Sequence, residues 1–132
     1  MRNLSPDIFS DEFIGAQSDR LFKLWVGLIT SLADDQGRML DNPGLIKSKI
    51  FPYGYTLSVR DIDKDLKRLS EANKIMRYLA GNNGSGRALI QIVNWWRYQT
   101  KAQWASRSVY PAPSKWIDRV RCHERGNGTA IV

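Results

Sequence analysis

Residues 58–93 read SVRDIDKDLKRLSEANKIMRYLAGNNGSGRALIQIV and contain one helical pattern followed by two strand-like patterns. Apolar side chains in the first part recur at steps of three and four, at Val59, Ile62, Leu66 and Leu69. This spacing predicts an amphipathic helix over residues 58–72. Ser58 is the expected N-cap and Asp61 occupies the capping-box position, while Asn73 tolerates the left-handed backbone that ends many helices.

The face of this helix opposite the apolar stripe is basic, and it carries Arg60, Lys64, Lys67 and Arg68. Like charges one helical turn apart repel each other mildly, so a phosphate backbone lying along the row would relieve the repulsion. The alternative interpretation is a solvated face of mixed charge, because acidic residues alternate with the basic residues along the helix and Asp63 could pair with Lys67.

The strand-like runs over residues 75–79 and 87–93 predict a β-hairpin. The glycine-rich segment 80–86 joins them and is too long for a tight turn, so we expect a mobile loop. Arg77 and Arg87 bracket this loop, and helix and hairpin together could therefore present a continuous basic surface. We interpret residues 58–93 as the second half of a winged helix.

Two further helices and a short strand are predicted earlier in the chain. A broad apolar face predicts a long helix over residues 19–33, in which Trp25 fills the core. Residues 38–40 could add a short strand to the hairpin. Asn42 before a proline starts a short helix that ends near Phe51, so this helix and the basic helix would form a helix-turn-helix with a longer than usual turn.

Aromatic residues cluster near both ends of the chain. Near the N-terminus, Phe9, Phe13 and Ile14 are expected to be buried by one or two short turns. After the hairpin, aromatic residues alternate with basic ones, and the aromatic ones are Trp95, Trp96, Tyr98, Trp104, Tyr110 and Trp116. This composition is that of a surface on which single-stranded nucleic acid stacks, but the favoured interpretation is that Trp95 and Tyr98 pack on the core and that Trp116 anchors a turn. The basic side chains in this segment are expected to lie along phosphates beside the wing.

The chain has 132 residues and a net charge of +7, which fits one domain plus an extension. The charge is uneven, because residues 1–66 hold 8 Lys and Arg against 10 acids, whereas residues 67–132 hold 12 against 3. This asymmetry favours a polyanionic partner, and nucleic acid before a membrane. No apolar run long enough to span a membrane and no signal peptide is evident, so a cytoplasmic location is expected.

No residue set in the sequence indicates catalysis or a cofactor. Cys122 and His123 are the single cysteine and the single histidine, which leaves no ligand set for zinc and no complete catalytic dyad. The acids at positions 61, 63 and 65 mimic the start of a calcium loop, but the glycine that such a loop needs is replaced by Leu66. We therefore expect a protein that is not an enzyme, with no cofactor and no metal.

Several short motifs occur in an order that resembles a known family. An amphipathic helix ends in Ala33-Asp34-Asp35-Gln36-Gly37-Arg38, a short helix ends in Phe51-Pro52, and the hairpin leads into Asn94-Trp95-Trp96-Arg97-Tyr98-Gln99. Over residues 2–100 the chain resembles the N-terminal winged-helix domain of phage and prophage replication-initiation (replisome organiser) proteins. The resemblance implies DNA binding at a replication origin, with residues 58–72 as recognition helix and the loop 80–86 as wing. Members of that family often continue into a second domain that engages the host helicase or its loader, so this chain is expected to be a fragment or a small protein that binds DNA without that route.

The sequence thus predicts an α+β fold, a winged helix-turn-helix with a three-helix core and a β-hairpin wing over residues 1–100. An irregular or partly helical, basic and aromatic extension would cover residues 101–132. The expected function is binding of duplex DNA in replication initiation, as a monomer or a homodimer, with host replication proteins as further partners. The alternative is a protein-interaction module of a primosome or regulatory complex. The candidate DNA-binding residues are Arg60, Lys64, Lys67, Arg68, Arg77, Arg87, Arg97 and Lys101.

Overall fold

The computed structural model describes residues 8–9, 11–80, 86–99 and 105–120, and its architecture is α+β. The first helices are α1 (Glu12–Gly15) and α2 (Asp19–Gly27), and a π-helical turn, Leu28–Leu32, continues α2. They are followed by β1 (Arg38–Leu40), α3 (Pro43–Ile50) and α4 (Val59–Glu71). The last elements are β2 (Ile75–Ala80), β3 (Arg87–Ile92) and the short helix α5 (Trp95–Tyr98).

Helix α4 forms where the sequence predicts it, and its termini have the expected chemistry. The Asp61 amide donates to the Ser58 hydroxyl at 3.1 Å, and the Ser58 amide donates to the Asp61 carboxylate at 3.0 Å, which completes a capping box. Asn73 follows the helix in the left-handed conformation, with φ of 59°. The apolar stripe faces the core through Ile62, Leu66 and Leu69, which are fully buried.

The predicted helix over residues 19–33 is present, but its last part is wider than an α-helix. The Ala33 amide reaches back five residues to the Leu28 carbonyl at 2.9 Å, which closes a π-helical turn. The Thr30 hydroxyl donates to the Val26 carbonyl at 2.8 Å at the entry of this turn. Leu28 and Ile29 are both fully buried in the turn, so the wider geometry accompanies the burial of two adjacent side chains.

The three strands form one antiparallel sheet in the order β1-β3-β2. The predicted short strand over residues 38–40 is therefore confirmed, and β3 lies in the centre. Alternation along the strands places Met39, Ile75, Ile90 and Ile92 in the core cluster that the helices also line. Ion pairing adds to this packing, since the Arg20 guanidinium of α2 holds the buried Asp65 carboxylate of α4 at 2.7 Å.

The opposite face of the sheet is covered by residues 105–120, which we call the C-terminal segment. The segment is irregular apart from one parallel bridge between Ala105 and Val120. Leu89 of β3 is fully buried although it lies outside the core cluster on the helix side. Its cross-strand neighbour Tyr78 donates its hydroxyl to the Pro111 carbonyl at 2.6 Å. The central strand β3 is thus buried on both faces, which explains the four consecutive buried residues at its end.

A second set of contacts ties the C-terminal segment to the turn before β1. The buried Gln36 side chain donates to the carbonyls of Ser106 and Arg119 at 2.9 and 2.8 Å, and accepts from the Arg119 amide at 3.1 Å. The Asp34 carboxylate accepts from the Ser108 hydroxyl. A turn that the sequence analysis treated as a simple helix exit therefore anchors a segment more than sixty residues away in the chain.

The expectation for the N-terminal aromatic residues is partly wrong. Ile14 is buried and Phe13 is half-buried, but Phe9 is 75% exposed. Phe9 stacks on Phe22 of α2 with ring centroids 5.7 Å apart, outside the buried layer that contains Ile8 and Ile14. The expectation for the loop over residues 80–86 concerns mainly residues 81–85, which lie outside the described residues.

Candidate nucleic-acid interface

The basic row predicted on α4 points away from the core. Ile62, Leu66 and Leu69 bury one side of the helix, so residues on the other side of each turn face outward. All members of the row are exposed, and they are Arg60, Lys64, Lys67 and Arg68. Within the described part of the chain, no ion pair involves any of these four side chains.

Three of the four acids of α4 are held by groups other than this row. Asp61 is held by the capping box, Asp63 accepts from Arg77 at 2.7 Å, and Asp65 is buried against Arg20. Because each of these three carboxylates has a different partner, they do not converge on one point as the ligands of a calcium ion would. The charge of the basic row is therefore not cancelled by direct pairing with the acids that interleave it in sequence.

Arg77 lies at the junction of β2, α4 and the residue after β1. Its Nε and Nη2 atoms donate to the two carboxylate oxygens of Asp41 at 2.7 and 2.9 Å, and Nη2 also donates to Asp63. These hydrogen bonds, that to Asp41 first, raise the pKa of Arg77 above its ordinary value against the effect of burial. Two carboxylates thus hold the guanidinium of Arg77, which the sequence predicts to be a DNA-binding residue.

Replacing Arg77 with glutamine tests whether it clamps the fold or binds a phosphate. We expect the free energy of unfolding to fall by about 1.5–3 kcal/mol, because the Asp41 carboxylate, which is 8% exposed, loses a charged hydrogen-bond partner. Urea unfolding measures this loss. We also expect the salt dependence of DNA affinity to stay unchanged, and a flatter dependence would instead place Arg77 on a phosphate.

The remaining candidate cations are distributed along β3 and the residues after it. Arg87 is exposed, and its guanidinium lies 5.3 Å from the ring centroid of Tyr110 in the C-terminal segment. Arg97 on α5 is also exposed. Lys101 lies outside the described residues. Arg87 and Arg97 are therefore available at the surface, but on a different element from the α4 row.

The aromatic residues after the hairpin mostly pack against the protein. Trp95 is buried, and its Nε1 atom donates to the Asp35 carbonyl at 2.9 Å. Trp96 is half-buried, with the Arg119 guanidinium 5.0 Å from its ring centroid. The predicted core packing is thus confirmed for Trp95, while the side chain of Tyr98 and all of Trp104 lie outside the described part of the structure.

Sequence reasoning missed two exposed aromatic residues beside the basic helix. Tyr53 and Tyr55 are 81% and 86% exposed in the connection between α3 and α4. For this connection the sequence predicts only the turn of a helix-turn-helix. The available signal was the pair of tyrosines around Gly54, close in sequence to Lys49 and Arg60.

The described residues contain no cluster of three or more His, Cys, Asp or Glu that could hold a metal ion. Cys122 and His123 lie outside this part of the chain. Among the same residues, no helix has both the length and the apolar character that a membrane span requires. In comparisons with known proteins, the chain matches no family model, no curated protein and no solved structure.

Proposed function

We propose that this chain is a winged-helix protein that binds duplex DNA through α4. The observation that carries the proposal is the row of four exposed cations along one side of α4, none of which has an ion-pair partner among the described residues. Such a row attracts a phosphate backbone and releases its counterions on binding. Helices of this kind enter the major groove and place their side chains on phosphates and base edges.

The arrangement of elements supports a winged helix. Helix α2, strand β1, helices α3 and α4, and the β2–β3 hairpin follow each other in that order, and β1 pairs with the returning strand. The glycine-rich connection between β2 and β3 would be the wing, and Arg87 at the start of β3 would lie next to the DNA. Arg97 would extend the contact, and Lys101 is proposed with it from sequence alone.

We further propose that the DNA is bound during replication initiation of a phage or mobile element, since this is what the motif resemblance implies. Helix α4 would be the recognition helix at the origin. The second candidate, a protein-interaction module, would dock its partner through exposed aromatic residues after Asn94. Trp95 is buried and Trp96 half-buried, so this candidate has less support.

Substitution of Lys64 with alanine tests the proposal. Each phosphate contact adds about −0.9 to the slope of log affinity against log salt, so we expect the slope to flatten by about one unit. The measurement is fluorescence anisotropy of a labelled duplex at several salt concentrations. Lys64→Arg keeps the charge and should keep the slope.

An unchanged slope for Lys64→Ala would remove α4 from the interface. Filter binding at low salt separates the two candidate functions. If duplex DNA is not retained while a host replication protein co-purifies with the chain, the interaction module replaces DNA binding.

A further inference from the structure

The connection between α3 and α4 exposes two aromatic rings that have no evident role in folding. Tyr53 and Tyr55 are 81% and 86% exposed, whereas the tyrosines in contact with the sheet, Tyr78 and Tyr110, are half-buried. Tyrosine carries a large apolar ring, and its exposure in water forgoes the stabilisation that burial would give. Two such rings, separated by one glycine, form a distinct surface feature that the core does not explain.

The backbone of this connection is held in place on both sides of the rings. Phe51 is buried at its start, and Leu57 packs against the core at its end. Backbone hydrogen bonds close the turn: Gly54 donates to Phe51 at 3.0 Å, and Leu57 donates to Gly54 at 3.1 Å. The tyrosines therefore point outward from an anchored turn, and little backbone entropy would be lost on binding.

Exposed cations flank this connection on both sides in sequence. Lys49 precedes the connection and is exposed, and Arg60 and Lys64 follow it on the outer side of α4. Asp61 is the nearest acid in sequence, and its carboxylate already accepts the Ser58 amide. Aromatic rings beside exposed cations are the combination that binds unpaired nucleic acid, where the bases stack on the rings and the phosphates meet the cations.

We propose that Tyr53 and Tyr55 form a stacking platform for unpaired bases of the DNA that α4 holds. The proposal rests on the DNA-binding function proposed above and names the form of DNA that this surface prefers. In a fully paired duplex each base face is covered by its neighbours, so the rings have no face on which to stack. Where the duplex is gapped or melted, base faces become available. The preferred substrate is therefore duplex DNA with an unpaired segment beside the α4 contact.

The cations that flank the two rings in sequence favour bases of a nucleic acid over a protein surface. Stable protein interfaces bury about 800 Å² on each partner around a central apolar cluster. Here the flanking residues Pro52 and Thr56 are exposed, and the cations on both sides favour a negatively charged partner. Binding of the tyrosines to a protein instead of DNA is one of the outcomes that the following test can detect.

The test compares a fully paired duplex with the same duplex carrying a central unpaired segment. We expect the native chain to bind the second DNA more tightly. The double variant Tyr53→Ala/Tyr55→Ala should lose about tenfold or more in affinity for the DNA with the unpaired segment, because each base stack contributes about fivefold to a hundredfold. Its affinity for the paired duplex and its salt slope should stay as in the native chain, since stacking releases no counterions.

The matched control is Tyr53→Phe/Tyr55→Phe, which keeps the rings and should keep the preference for unpaired DNA. Because Tyr53 and Tyr55 are exposed, we expect both double variants to unfold at the same urea concentration as the native chain. Equal losses on both DNAs, or no loss on either, would overturn the platform. If Lys64→Ala flattens the salt slope while the alanine pair binds like the native chain, DNA binding stands and the platform fails. If the native chain binds neither DNA, and the variant Tyr53→Ala/Tyr55→Ala instead loses a protein partner, both the DNA-binding proposal and the platform proposal fail.

Discussion

Replacing Asp118 with asparagine is expected to lower the free energy of unfolding by about 3–5 kcal/mol, because it leaves a buried arginine without its ion-pair partner. Arg38 on β1 is 1% exposed, beneath the C-terminal segment, and its Nη2 atom forms an ion pair with the Asp118 carboxylate. An asparagine amide has nearly the same shape but no charge, so the substitution removes mainly the electrostatic partner.

The other contacts of Arg38 do not replace that charge. Its Nε atom donates to the Gln91 side chain at 2.7 Å, and its Nη1 atom donates to the Tyr110 carbonyl at 2.6 Å. Both acceptors are neutral. Burial lowers the pKa of Arg38 below its ordinary value, yet a guanidinium stays charged at any pH at which the chain is folded. With Asp118 replaced, the folded state must carry the Arg38 charge with only the Coulombic attraction of Asp34 to offset it.

Urea or guanidinium unfolding measures this effect, and Asp63→Asn is the matched control. Asp63 is also ion-paired with an arginine, but its side chain is 54% exposed, so we expect a change of about 0–1 kcal/mol. The double variant Arg38→Met/Asp118→Leu removes both charges and should recover most of the loss. Equal effects of Asp118→Asn and Asp63→Asn would show that Arg38 is solvated and that the C-terminal segment does not seal this face.

Replacing Gly37 with alanine is expected to lower the free energy of unfolding by about 2–5 kcal/mol, because strain and overpacking act together. Gly37 has a φ of 81°, a conformation that side-chain-bearing residues adopt at a cost. A Cβ atom there would lie 2.7 Å from the ring of Trp95. That ring is buried and is held by its hydrogen bond to the Asp35 carbonyl, so it cannot easily move aside.

The control for this prediction is Gly44→Ala in α3. A Cβ atom at Gly44 would meet only the Asn42 side chain, at 3.5 Å, and the position is helical. Alanine is favoured over glycine in a helix by up to about 1 kcal/mol, so we expect no loss or a small gain in stability. If Gly37→Ala were as stable as Gly44→Ala, the turn before β1 would have to differ from the one described.

Most of the secondary structure could be predicted because it depends on neighbours in sequence. Periodic apolar residues and the Ser58 capping box predict α4, and the Asn42 start signal predicts α3. The hairpin strands and the short strand β1 follow from the same kind of pattern. The π-helical turn at Leu28–Leu32 could not be predicted this way, because its sequence also fits an ordinary helical turn.

The candidate site was predictable only in part. Exposure of the α4 row follows from helical geometry, since cations opposite an apolar stripe face outward. The state of Arg77 does not follow from any local rule. It depends on Asp41 and Asp63, which are 36 and 14 residues away in the chain and are brought together by the packing of β2 beside α4.

By itself, the sequence determined the helices and strands, the capping residues and the side of α4 that carries its positive charge. These features arise from interactions within a few residues, so the pattern contains the cause. Only the tertiary structure decided that residues 105–120 cover the second face of the sheet, that Arg38 is buried with Asp118, and that the tyrosines of the α3–α4 connection stay exposed. Burial is set by which distant segments exclude water together, and no local spacing encodes that choice.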